Sequence, residues 1–209
     1  LAVEEGGNVA GCNVCFAGEE SSVPNKGLYP HCTALPCTIS LGNGMSVSRY
    51  QITDIGVSPT LGDFCHESGH LLCGYPDTYD TDLSSCGGTS VFCLMGSGNI
   101  FEKNPVQVCA YLKWVSGWAG NTVELTAQSC LTGSVSAAGA DFNKFYRYSR
   151  PGISTEYFLI ENRQAVGRDA NLPASGIAVW HIDELGNKNN ESLVDNSVHA
   201  NYEVTLVQA

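Results

Sequence analysis

The stretch Cys65-His66-Glu67-Ser68-Gly69-His70-Leu71-Leu72-Cys73-Gly74-Tyr75-Pro76-Asp77 decides the fold of this 209-residue chain. Apolar residues recur at helical spacing before Gly74, and a glycine at that point can adopt the left-handed conformation that ends a helix. Ser58 or Thr60 can cap the start. We therefore predict a buried helix between residues 58 and 74, with apolar positions at Leu61, Phe64, Leu71 and Leu72.

His66 and His70 are spaced four residues apart, which places both imidazoles on one side of the predicted helix, one turn apart. Two nitrogens can then bind one metal ion. A catalytic Zn²⁺ takes three protein ligands and leaves a position for water, and Glu67 can reach that water as a general base. The alternative is a helix with two incidental histidines.

A third ligand is expected just beyond the helix. The spacing resembles that of metzincin zinc peptidases, in which a glycine ends the helix and a ligand follows three residues later. Gly74 and Asp77 keep this spacing, but Gly74 lies four residues after His70 where metzincins have three, so the helix is longer by one residue. Asp77 is the predicted ligand. Alternatively, Asp77 only stabilises the turn after Pro76, and the rival ligands are His31, Asp80 and Asp82.

A methionine lies in a glycine-rich stretch downstream of this helix, Cys93-Leu94-Met95-Gly96-Ser97-Gly98. In metzincins a methionine turn forms an apolar floor beneath the metal, and Met95 is the candidate here. The alternative is ordinary core packing of a flexible apolar side chain. Its position after a zinc-type helix favours the Met-turn.

The remaining sequence predicts an α+β fold. A second helix is predicted with Asn104 as cap, Pro105 in its first turn and Gly117 as its stop. The first 58 residues predict loops and edge strands, including one at 47–52. Later runs of β-branched and aromatic residues predict strands at 123–125, 145–148, 157–160, 177–180 and 202–207.

Several of these blocks together resemble the catalytic core of immune inhibitor A type metallopeptidases, from about residue 27 onward. The resemblance implies a secreted zinc endopeptidase acting on proteins, often stabilised by calcium. It assigns zinc binding to His66, His70 and Asp77, and the general base to Glu67. The matching blocks are 27–31, 65–80, 93–99, 109–114 with Gly117-Trp118, 156–164, 172–173 and 176–184.

The chain departs from this family before the zinc helix. Family members have a longer N-terminal stretch with a sheet whose edge strand holds extended substrate, whereas 65 residues precede His66 here. Residues 1–5 also lack the basic and apolar regions of a signal peptide. We therefore expect a partial or processed chain.

The charge and the cysteine content limit the partners and the cellular location that we expect for the protein. With 10 basic and 21 acidic residues the net charge is −11, which argues against nucleic acid as a partner. No apolar run is long enough for a membrane span. Ten cysteines, all within the first 130 residues, favour disulfides and an extracellular location. A glycan acceptor is predicted at Asn190, and weak calcium candidates are Asp77, Asp80, Asp82, Asp183, Glu184, Asn187 and Asn190.

These observations give one combined prediction. Residues 1–120 form a metzincin-like catalytic core of zinc helix, Met-turn and second helix, and residues 121–209 form a β-rich continuation, with disulfides as staples. The predicted function is zinc-dependent hydrolysis of protein or peptide substrates. The alternative is a non-catalytic, disulfide-rich assembly subunit of an extracellular structure that self-associates through strand edges.

Overall fold

A computed structural model describes residues 2–3, 9–16, 29–54, 61–81, 88–126, 135–138, 144–187 and 202–207. The chain forms two compact units, residues 1–75 and 76–209. The predicted division after residue 120 follows sequence blocks and stays a prediction. Outside the described residues lie the two cap candidates, one rival ligand, two cysteines and the glycan acceptor, namely Ser58, Thr60, Asp82, Cys86, Cys130 and Asn190.

The first unit is built on a four-stranded sheet of order β1-β2-β4-β3. Strands β2 and β4 are parallel, whereas β3 and β4 form an antiparallel hairpin. The hairpin turns at Asn43-Gly44, where φ is +51° and +77°. Asparagine and glycine tolerate such angles best, so this pair fixes the hairpin. The strands are Ala2–Val3, Val9–Phe16, His31–Gly42 and Met45–Asp54 for β1 to β4.

The predicted first helix is present and packs against this sheet. Helix α1 spans Leu61–Ser68 and continues as a π-helical segment, Gly69–Cys73. The prediction of its buried face was wrong for three of its four apolar residues, because Leu61, Phe64 and Leu72 are 40%, 41% and 55% exposed. The buried positions instead include small or polar residues, among them Gly62, His66, Glu67 and Gly69. The helix therefore buries the side chains of His66 and Glu67 and exposes part of its apolar surface.

The predicted second helix is shorter than expected. Helix α2 spans Ala110–Val115, and Gly117 ends it with φ +72° as predicted. Residues 105–109 are not helical, because their backbone groups bond elsewhere: the amide of Leu94 donates to the carbonyl of Gln107 at 3.3 Å, and the amide of Gln107 donates to Oδ1 of Asp169 at 3.1 Å. These tertiary bonds override the local helix-start signal.

The second unit contains a five-stranded sheet of order β5-β6-β7-β8-β9. All five predicted strands are present, with boundaries shifted by a few residues. Trp180, Tyr157 and Leu159 are fully buried on the two central strands, β7 and β8, and form part of the core. The strands are Val123–Leu125, Tyr146–Ser149, Glu156–Arg163, Gly176–Asp183 and Val204–Leu206 for β5 to β9. The mixed helix and strand content agrees with the α+β prediction.

Two further expectations concern cross-links and membranes. Within the part of the chain that the structure describes, no two cysteines are joined as a disulfide, so the predicted staples are not seen there. Across these same residues, every helix is too short or too polar to pass through a lipid bilayer.

Candidate metal centre

The extra residue after the second histidine is absorbed as a π-turn. From Gly69 onward the helix widens to i→i+5 bonding, and the amide of Gly74 donates to the carbonyl of Gly69. A π-turn is how a helix accommodates one additional residue without losing its register on either side. Gly74 then takes the predicted left-handed conformation, with φ 66° and ψ 22°. The longer spacing is therefore compatible with a sharp stop before the predicted third ligand.

The two histidine rings lie next to each other on the helix. Their centroids are 4.9 Å apart and the rings are nearly perpendicular, at 84°. Nδ1 of His70 contacts the carbonyl oxygen of Tyr75 at 2.6 Å. Because a carbonyl can only accept, Nδ1 carries the proton and Nε2 of His70 is left as the metal-binding nitrogen.

Strand β4 holds the helix through two side chains on the same face of the strand. Arg49 donates through Nη2 to the carbonyl oxygen of His70 at 3.0 Å, and Gln51 donates through Nε2 to Oγ of Ser68 at 3.1 Å. Gln51 is 1% exposed. One bond holds the backbone of His70, and the other holds the side chain of Ser68, which lies midway between the two histidines. Strand β4 therefore helps to fix the position of the predicted ligands.

The predicted base lies within the first unit beside β3. Glu67 is 7% exposed, as is His66. Burial raises the pKa of the Cys32 thiol; the Arg49 guanidinium opposes this shift and the Glu67 carboxylate adds to it. Glu67 therefore belongs to the buried part of α1.

The structure brings together the three predicted ligands. Metal-binding atoms of His66, His70 and Asp77 all lie within 4.8 Å of one another. Two imidazoles and one carboxylate form a donor set that suits catalytic zinc, with one position left for water. The structure therefore brings together the three residues that the sequence predicted as metal ligands.

Two of the rival ligands, His31 and Asp80, are not part of the cluster of His66, His70 and Asp77. His31 bonds Tyr50 Oη at 3.0 Å through Nε2 and the carbonyl of Tyr29 at 2.9 Å through Nδ1, so both ring nitrogens are engaged. Asp80 is fully buried but is not part of the ligand cluster. Asp77 therefore remains the best candidate among the described residues.

The glycine-rich stretch around Met95 forms a tight turn, in which the carbonyl of Cys93 accepts from the amides of Gly96 at 3.0 Å and Gly98 at 2.9 Å. Met95 is fully buried. Its carbonyl accepts from the amide of Thr78 at 2.8 Å, so the turn is bonded to the residue that directly follows Asp77. A location of the Met95 side chain beneath a metal stays a prediction.

A network of buried ion pairs that was not predicted from the sequence supports this turn. Arg163 donates to both carboxylate oxygens of Asp169, at 2.8 and 2.9 Å, and to the carbonyl of Phe92 at 2.9 Å. Glu161, also buried, accepts from Lys113 at 3.0 Å. Because Asp169 also accepts from the Gln107 amide, the network holds the chain on both sides of the Met-turn.

The sequence gives only part of the information needed to predict these supporting residues. Glu161 and Arg163 belong to a block that matched the family, but an alternating strand pattern gives no reason to bury two charges. Their partners are far along the chain, and the sequence provides no pairing information. Tyr75 acts through a backbone carbonyl, which its side-chain identity cannot reveal.

The weaker predictions receive little support. Of the calcium candidates, Asp183 accepts from the amide of Leu185 and Glu184 accepts from Tyr157 Oη. Among the described residues these carboxylates form no group that could hold a metal.

Comparison with known proteins agrees with this geometry. The sequence model of the immune inhibitor A peptidase M6 catalytic domain matches residues 4–123, which is more than half of the chain. No curated protein matches the sequence. The matched region contains the histidine pair, the acidic residue between them, Asp77 and the Met-turn. The chain therefore belongs to the immune inhibitor A peptidase M6 family.

Proposed function

We propose that this protein is a secreted, zinc-dependent endopeptidase that hydrolyses peptide bonds with a metal-activated water. The observation that carries the proposal is the convergence of His66, His70 and Asp77 within 4.8 Å. Membership of a peptidase family supports hydrolysis of protein or peptide substrates. Zinc is the proposed metal because two imidazoles and a carboxylate match its preferred ligands, whereas calcium prefers a shell of oxygen atoms.

The residues of the centre divide into metal ligands, a general base and a residue that orients one ligand. His66, His70 and Asp77 would hold the metal, which when bound supplies a Lewis acid and lowers the pKa of water. Glu67 accepts a proton from the attacking water and passes it to the amine of the leaving peptide. The Tyr75 carbonyl keeps the proton of His70 on Nδ1, which orients the ring.

Glu67→Gln is the decisive test of the proposed reaction. The substitution keeps the size of the side chain but removes its ability to accept a proton, so we expect cleavage of an unfolded protein to fall by at least about 100-fold. Zinc should still bind with one ion per chain, measured by elemental analysis. Glu102→Gln is the matched control, because Glu102 is exposed, and it should leave the rate unchanged.

Two results would contradict the proposal. Equal cleavage by the natural chain and Glu67→Gln would remove the role of Glu67. Zinc bound without any cleavage by the natural chain would favour the non-catalytic assembly subunit instead. Sedimentation of the zinc-loaded protein would then measure whether it self-associates, as that alternative predicts.

A further inference from the structure

Two cysteines lie against each other at the base of the Met-turn. Cys93 and Cys109 are both fully buried. The amide of Cys109 donates to Sγ of Cys93 at 3.3 Å. Neither residue has a role in the proposed reaction. This buried pair of neighbouring cysteines is therefore a feature that the peptidase function does not explain.

The backbone around the pair is already held in place. The amide of Leu94, next to Cys93, donates to the carbonyl of Gln107 at 3.3 Å. The amide of Val106 donates to the carbonyl of Gly98 at 3.4 Å, so the two segments run side by side. A disulfide requires neighbouring Cα atoms about 4.4–6.8 Å apart, with side chains directed toward each other. The 3.3 Å contact between the Cys109 amide and Sγ of Cys93 brings the two residues together, and both thiols are free in the structure, so the bond forms only when the two sulfur atoms move closer.

We propose that Cys93 and Cys109 form a disulfide that ties the Met-turn to the start of α2 when the protein folds in an oxidising compartment. The oxidant is a disulfide of the glutathione class. One cysteine thiolate attacks it and forms a mixed disulfide, releasing one thiol. The second cysteine then attacks the mixed disulfide and releases the other thiol. Two cysteine thiols are thereby oxidised, and one small disulfide is reduced to two thiols.

The surroundings of the pair distinguish the two sulfur atoms. Burial raises the pKa of Cys93, but hydrogen bonds from the thiol and amide of Cys109 outweigh it, and the net shift is downward. Burial and the neighbouring Cys93 raise the pKa of Cys109. Because both sulfur atoms are enclosed in the folded unit, the proposed bond forms before α2 packs and is afterwards shielded from reductants.

Peptide mapping of the natural chain tests this pairing without any substitution. The full chain is produced in an oxidising secretory compartment, its thiols are alkylated in denaturant, and it is digested with trypsin and chymotrypsin. Trypsin cleaves after Lys103 and Lys113, which isolates residues 104–113 with Cys109 as their sole cysteine. We expect this peptide to be joined to the peptide that contains Cys93. Alkylated Cys109 in most molecules, or Cys109 joined to any other cysteine, would overturn the proposal.

A pair of variants gives an independent check. In Cys93→Ser, Cys109 loses its partner and should become fully alkylated in denaturant. Cys37→Ser is the control, because Cys37 is exposed on β3, and the linked peptides should persist. Persistent cross-linking of Cys109 in Cys93→Ser would contradict the assignment. The result does not depend on peptidase activity, so it separates failure of this inference from failure of the proposed function.

Discussion

The carbonyl oxygen of Tyr75 accepts a 2.6 Å hydrogen bond from Nδ1 of His70. The two residues are five apart, and the chain reverses between them at Gly74, whose φ is +66°. The amide of Tyr75 also donates to the carbonyl of Gly69 at 3.2 Å. The turn that ends the helix thus provides the hydrogen bond that fixes the histidine ring, so helix termination and the orientation of His70 depend on the same glycine.

Gly74→Ala tests this dependence. A side chain at φ +66° is strained by about 1–2 kcal/mol, and relief of that strain would move the Tyr75 carbonyl away from His70. Loss of such a supporting bond typically weakens metal binding by about 10- to 100-fold. We expect a rise in the zinc dissociation constant near the low end of this range, measured by competition with a chelator.

Gly152→Ala is the matched control for the strain itself. Gly152 has φ +79°, and no atom lies within 4 Å of the position that a methyl group would take, so the substitution is strained without a clash. It should lower stability by a similar amount and leave zinc affinity unchanged. If Gly152→Ala weakened zinc binding as much as Gly74→Ala, the effect would be one of global stability and the link to His70 would be wrong.

Arg49 is expected to position His70 from the neighbouring strand. Its guanidinium donates to the carbonyl of His70 at 3.0 Å and lies 3.8 Å from Sγ of Cys32. Arg49→Ala removes the bond that anchors the π-turn, so zinc affinity should fall several-fold. Arg49→Lys keeps the charge and should recover part of the loss. Equal zinc affinity in all three proteins would show that the contact has no role in positioning.

The convergence of His66, His70 and Asp77 could be predicted from the sequence because its signal is local. His66, Glu67 and His70 need only helical periodicity, and Asp77 follows within one short turn. The π-turn left a trace as one extra residue before Gly74, but its effect on the Tyr75 carbonyl needed backbone coordinates. The helix predicted from Asn104 failed for residues 105–109, because their hydrogen-bond partners come from distant parts of the chain.

Arg163 is expected to be essential for the stability of the second unit. Its side chain and that of Asp169 are each 2% exposed. Removing one member of a buried ion pair leaves an uncompensated charge and costs about 3–5 kcal/mol, so Arg163→Met should lower the free energy of unfolding by that amount. Arg150→Met is the control, since that side chain is 55% exposed in its pair with Glu156 and should cost at most about 1 kcal/mol. Urea unfolding measures both.

Two buried tyrosines predict a loss of stability at alkaline pH. Burial raises the pKa of Tyr111, and the hydrogen bond to Glu203, 2.7 Å long, raises it further. The pKa of Tyr157 is raised in the same way by burial and Glu184. In the unfolded chain both ionise near pH 10. The contribution of the two tyrosines to the free energy of unfolding is therefore fully present below about pH 10. It is lost as the pH rises toward the pKa values that the tyrosines have in the folded state.

Tyr111→Phe separates this contribution from other titrations. At about pH 8 the variant should be less stable, because Glu203 loses a buried donor at a cost of about 1–3 kcal/mol. Between about pH 10 and pH 11 its stability should fall less steeply than that of the natural chain. Tyr148→Phe removes a half-buried tyrosine of β6 and serves as the control for one tyrosine fewer. Parallel pH profiles for the natural chain and Tyr111→Phe would contradict the assignment.

The Met-turn has no room for a side chain at Gly98. A methyl group there would lie 2.3 Å from Cγ2 of Val106 and 2.6 Å from the carbonyl oxygen of Cys93, and that oxygen is fixed by its bonds to the turn amides. Gly98→Ala must therefore open the turn, which is bonded through Met95 to Thr78, next to Asp77. We expect a loss of about 1–3 kcal/mol in stability together with weaker zinc binding.

In the control Gly120→Ala, the new methyl group meets no atom within 4 Å, and both quantities should be unchanged. Gly98→Ala with natural stability but reduced zinc affinity would show that the turn adapts locally, whereas natural values of both would show that the turn does not support the metal centre.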